Sequence, residues 1–145
     1  MYSLLYLSVA TKLMQQEELQ EILEQSRISN KDHQLTGCLA YIEGRIKQDY
    51  HGRFIQVLEG VEEDVLNVFE RIKRDYRHKE VTVIKQGLIA NRYFKSWDMG
   101  FEKIVLDSNS NLKGFFQLEP ELLMQDGDIN NNILLDFMKS FYKQL

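Results

Sequence analysis

At 145 residues the chain has room for one domain with a core of its own and not for two. A net charge of −4 excludes a general nucleic-acid binder, whose phosphate contacts need a surplus of Lys and Arg. The single cysteine, Cys38, excludes an internal disulfide and any Cys-cluster metal site.

No apolar run reaches the roughly 18 residues that cross a bilayer, and no signal-peptide profile opens the chain. The expectation is a cytoplasmic protein with neither a membrane nor a nucleic acid as partner. In chain order, Tyr2 to Val9 is rich in β-formers and apolar on both alternating faces, which predicts a strand buried on both sides. From Gln15 to Ser29, Leu19, Ile22, Leu23 and Ser26 recur at helical spacing, with no good N-cap before them. Leu35 to Ile42 and Phe54 to Glu59 read as strands joined by Glu43 to Arg53. That connection is long for a hairpin, so the strands can extend into it.

Val61, Val65, Val68, Phe69 and Ile72 form the cleanest amphipathic helix, ending near Asp75. Strands follow at Val81 to Ile89 and Trp97 to Val105. The order is the ferredoxin-like βαββαβ pattern with an added fifth strand, an α+β fold. Asp107 to Lys113 reads as a linker. A helix after Pro120 and another from about Asn131 carry apolar stripes and are expected on the free face of the sheet. The division is therefore a domain over 1–106 and a helical extension over 107–145 packed on it.

Residues that break the local patterning carry the functional signal. Gln56 shares a strand face with Phe54 and Leu58, and a buried amide there needs partners or costs about 1–3 kcal/mol. Tyr6 sits mid-strand on the face of Leu4 and Ser8 with a hydroxyl that wants a partner. Arg71 stands beside the apolar stripe of its helix, one turn before Asp75, so an i, i+4 ion pair is expected. Arg77 and His78 follow at the helix exit, where cations suit the negative end of the dipole. Asn30 ends the first helix, where Asn commonly caps. Taken singly, each has a structural explanation as good as a ligand-binding one, and Trp97 and Met99 read as core. His33, His51 and His78 show no metal-ligand spacing.

Together these positions resemble the BLUF family, sensors of blue light using FAD. The likeness rests on Tyr6-Leu7-Ser8, Asn30 with Leu35-Thr36-Gly37, and Phe54-Ile55-Gln56-Val57-Leu58-Glu59-Gly60. It continues in Asp75-Tyr76-Arg77-His78 and Arg92-Tyr93-Phe94 with Trp97-Asp98-Met99, over about the first 100 residues. The resemblance implies FAD held non-covalently between the two helices on one face of the sheet. It implies cofactor contacts from Tyr6, Ser8, Asn30, Gln56, Arg71, Asp75, Arg77 and His78. The photoactive set would be Tyr6 as electron and proton donor, Gln56 as the switching amide, and Met99 or Trp97 as reporters. It further implies a sensor that is not an enzyme, a homo-oligomer, and an unknown partner protein that senses the light state. Residues 107–145 are too few for a cyclase or phosphodiesterase, so no output enzyme is expected.

Ser29 departs from the family, standing where many members have a second Asn. Leu7 replaces a usual basic or small residue, and the connection over Arg45 to Arg53 is longer than in most members. Two rival readings are a small flavin-dependent reductase and a ferredoxin-like binding module without chromophore. The first lacks a G-x-G-x-x-G phosphate loop. Against the second, plain packing would not ask for Tyr6, Gln56 and Met99 together.

Overall fold

A computed structural model of the chain describes residues 1–46, 49–94 and 100–105. Seven elements follow in order: β1 (Tyr2–Ala10), α1 (Gln16–Asp32), β2 (Thr36–Ile46), β3 (Asp49–Gly60), α2 (Glu62–Lys73), β4 (His78–Leu88) and β5 (Gly100–Val105). They build one sheet of order β4-β1-β3-β2-β5. Neighbours are antiparallel except β2 and β5, which run parallel. This is the expected α+β arrangement, with β5 making the sheet mixed.

Alternation along the central strands separates two buried faces. Leu4 and Tyr6 of β1, Leu39 and Tyr41 of β2, and Phe54 and Leu58 of β3 pack with Leu19 of α1 and Val65, Val68 and Phe69 of α2. The odd positions Leu5 and Leu7, with their register partners Val57 and Ile55, are buried too. That double burial is why β1 reads as a near-continuous apolar run. The two helices expected after Pro120, like the whole of 107–145, lie outside the described residues. So do Trp97 and Met99.

Four boundaries move for physical reasons. α1 begins without a Ser, Thr, Asp or Asn cap because Glu18 reaches back to accept the Gln15 N–H at 3.1 Å. It continues to Asp32, so His33 rather than Asn30 occupies the C-cap, and Asn30 is 1% exposed inside the last turn. β2 and β3 pair from Thr36 opposite Glu59 out to Ile46 opposite Asp49, so the strands do extend through most of the long connection. β4 starts at His78, three residues before Val81, because His78 and Lys79 find ladder partners in Ala10 and Val9.

The second helix holds three acids, Glu62, Glu63 and Asp64, in its first turn and Arg71 and Lys73 in its last, each sign matching the dipole. Its apolar stripe buries Val65, Val68 and Phe69 against β1 and β3. The stripe orients the helix so that Arg71 and Ile72, one turn on from Val68, face the gap toward α1.

Candidate functional site: a cleft between the two helices

On the helical face of the sheet, α1 and α2 leave a cavity of about 230 Å³. Ile22, Leu39, Phe54, Val68 and Ile72 supply apolar walls. Of the residues singled out in the sequence, Tyr6, Asn30, Gln56, Arg71, Asp75, Arg77 and His78 all line it. Ser29, the departure from the family pattern, lines it as well. Ser8 does not.

The floor is a cross-strand pair. Tyr6 of β1 stands opposite Gln56 of β3 in the sheet register, and its hydroxyl donates to Gln56 Oε1 at 2.5 Å. Both side chains are buried, at 2% and 3% exposure. Burial pushes the Tyr6 phenol well above its ordinary ionisation range, and the negative charge of Asp75 adds to the effect. The neutral phenol is thus a fixed donor. Its ring lies 5.4 Å from Phe69 and 6.2 Å from His78, centroid to centroid.

Ser8 acts through His78. Its Oγ is 2.7 Å from His78 Nδ1, while His78 Nε2 is 2.6 Å from the Ile72 carbonyl. A carbonyl only accepts, so Nε2 carries the hydrogen, and in the neutral ring Nδ1 accepts the Ser8 hydroxyl. The contact with Ile72 places His78 at the end of α2 through a hydrogen bond, made from the first residue of β4.

The expected Arg71–Asp75 ion pair does not form. α2 stops at Lys73, so residue 75 has left the helix and the i, i+4 spacing no longer brings the two together. Asp75 is instead clasped by Arg77. Arg77 Nε donates to Oδ1 at 2.9 Å, its terminal nitrogen to Oδ2 at 2.5 Å, and its backbone N–H to Oδ1 at 2.9 Å. Burial opposes the charge on Asp75, but the hydrogen bonds from Arg77 outweigh it and hold the carboxyl below its ordinary value. The hydrogen bond to Asp75 in turn raises Arg77 further above its ordinary value. Arg77 also donates to Gln25 Oε1 at 3.1 Å, bridging to α1. Arg71 donates to His33 Nε2 at 3.0 Å.

Three residues escaped the sequence reading. His33 and Gln25 carry no local signal, since only the packing of α1 beside α2 gives them partners. Glu59 did carry one, as an acid inside the apolar run Val57-Leu58. It is fully buried and accepts the backbone N–H groups of Tyr93 at 2.9 Å and Phe94 at 3.1 Å. Arg92 closes the same joint, donating to the Glu59 carbonyl at 3.0 Å, Thr36 Oγ1 at 2.8 Å and the Gln34 carbonyl at 2.8 Å. The joint ties the strand that carries Gln56 to the segment after β4. Among the described residues no group of three or more His, Cys, Asp or Glu could hold a metal, and no helix is long and apolar enough to cross a membrane.

Residues 1–100 match the family described as sensors of blue light using FAD. The chain belongs to the BLUF family. Curated relatives include the photoactivated adenylate cyclase subunit beta of Euglena gracilis, 31% identical over 94 residues, 65% of this chain and 10% of that protein. The corresponding subunit of Euglena longa is 30% identical over 98 residues, 67% of this chain and 10% of that one. This BLUF chain therefore spans about a tenth of the length of those relatives.

Among solved structures, BlrB, described as a BLUF protein in its dark state, superposes with a TM-score of 0.71 at 23% identity. It covers 99% of this chain and 96% of its own, and bears out the fold. A bacterial light-regulated adenylyl cyclase matches at 27% identity and a TM-score of 0.60, over 93% of this chain and 35% of that one. Membership makes this a blue-light sensor domain.

Proposed function

We propose that this BLUF chain binds FAD non-covalently in the cleft between α1 and α2, and signals through the Tyr6–Gln56 pair. The single observation that carries the reading is the Tyr6 hydroxyl on Gln56 Oε1 at the floor of that cleft. The residues suit a flavin. Apolar walls from Ile22, Leu39, Phe54, Val68 and Ile72 suit a flat aromatic ring, and amides and cations at Asn30, Gln56 and Arg71 suit its polar edge. The cavity of about 230 Å³ is below the roughly 300 Å³ at which pockets begin to enclose a whole drug-sized ligand. Such a cavity would hold the ring rather than the whole dinucleotide.

When bound, the flavin absorbs blue light and becomes a strong oxidant. Tyr6 is the electron and proton donor, and its proton already rests on the Gln56 amide. Gln56 is the switch because an amide has a donor end and an acceptor end and can exchange them, which Glu or Leu cannot. Asn30 and Arg71 would hold the polar edge of the ring, and Asp75, Arg77 and His78 would line the cleft beside it. Trp97 and Met99 pass the altered bonding outward. Nothing is turned over; the output is a small two-state rearrangement read by a partner protein, in a homo-oligomer.

The test is one absorption spectrum of the purified yellow protein before and after blue illumination. A reversible shift to longer wavelength is expected. A colourless protein after expression with added flavin, or a spectrum unchanged by light, overturns the reading. Pull-downs in light and dark that recover the same partners overturn the proposed output alone.

A further inference from the structure

We propose that His33 is a positioning residue for Arg71, holding this cation at the rim of the cleft where the flavin binds. The inference rests on the flavin reading above and concerns a positioning contact at the same site. His33 caps the C-terminus of α1 and does not line the cavity; Arg71 lies on the last turn of α2 and does.

The contact fixes a protonation state. A guanidinium nitrogen can only donate, so the 3.0 Å contact from Arg71 makes His33 Nε2 an unprotonated acceptor. The single ring hydrogen then sits on Nδ1, which faces Asp64 Oδ1 at 3.7 Å. From α2 the ring thus meets one anion and one cation. Lys31 and Asp32, its neighbours in its own helix, are opposite in sign.

Without the Nε2 acceptor the guanidinium loses its partner at the end of α1 and regains its rotamers, so the rim loses a preorganised donor. The contact of the ring with Asp64 is a separate link between α1 and α2.

The experiment titrates FAD into the full chain by flavin fluorescence at one neutral pH. His33→Gln, whose amide oxygen can accept the same hydrogen bond, should bind like the wild type. His33→Ala should bind about fivefold more weakly, the factor one net hydrogen bond is worth. Circular dichroism confirms that each variant is folded, and His33→Leu, which keeps the bulk without an acceptor, stands in if His33→Ala is not. His33→Ala binding like the wild type overturns the proposal, as does His33→Gln binding as weakly as His33→Ala. FAD binding absent from the wild type overturns the flavin reading itself, and this inference with it.

Discussion

Tyr6 and Gln56 are direct cross-strand partners in the β1–β3 ladder, and the phenol hydroxyl rests on the amide oxygen at 2.5 Å. The pair is therefore set by sheet register rather than by a flexible loop. A slip of one residue would turn one of the two side chains to the opposite face. Leu4 opposite Leu58 and Ser8 opposite Phe54 pin the register on either side.

Removing the phenol hydroxyl tests its role with little disturbance to packing. Tyr6→Phe should fold with a loss of about 1 kcal/mol, retain flavin, and lose the light-induced shift. Chemical denaturation and illuminated spectra measure the two parts. A normal reversible shift in this variant contradicts the donor role.

The amide is tested separately from the phenol. Gln56→Leu keeps the volume and removes both hydrogen-bonding ends. It should bind flavin and show no spectral shift. A shift of wild-type size would mean that the amide is not the switch.

Alkaline unfolding should begin at the buried phenols. Burial raises Tyr6 above its ordinary value, and burial with the nearby Glu43 carboxylate raises Tyr41. The folded state then favours the protonated phenol. Its contribution is complete below the unfolded value of about 10 and is lost as pH climbs from there toward the folded value. Tyr6→Phe should flatten the decline in melting temperature above about pH 10. An unchanged slope would count against Tyr6 as a source.

The joint at Glu59 should be costly to open. Glu59→Ala strands the N–H groups of Tyr93 and Phe94 and removes a buried acceptor, a loss of about 3 kcal/mol in urea denaturation. In a variant that still binds flavin, the light-induced shift should persist, because Tyr6 and Gln56 are untouched. A loss of less than about 0.5 kcal/mol would show that the joint is not holding the segment.

Gly37 should tolerate no side chain. A Cβ there would lie 1.9 Å from the Val57 carbonyl oxygen, which is backbone and cannot step aside. Gly37→Ala should cost about 3 kcal/mol or more, read as a drop in melting temperature or in soluble yield. A variant as stable as the wild type would mean that β2 and β3 separate more easily than their ladder suggests.

Local patterning was enough to read the element order and the buried face of each strand, whereas the cleft residues were drawn together only by the resemblance to the family. The period of two put Tyr6 and Gln56 on core-facing positions, and the apolar stripe of α2 put Arg71 beside its buried edge. Those features depend on a residue's own element and were legible for that reason. Partnership was not. The i, i+4 rule paired Arg71 with Asp75, but α2 ends at Lys73 and the chain turns, giving Asp75 to Arg77 and Arg71 to His33. The start of β4 at His78 depended on ladder partners 68 and 70 residues earlier in the chain, at Ala10 and Val9. Hydrogen bonds across such distances follow from how α1, α2 and the sheet pack, and no window of sequence contains them.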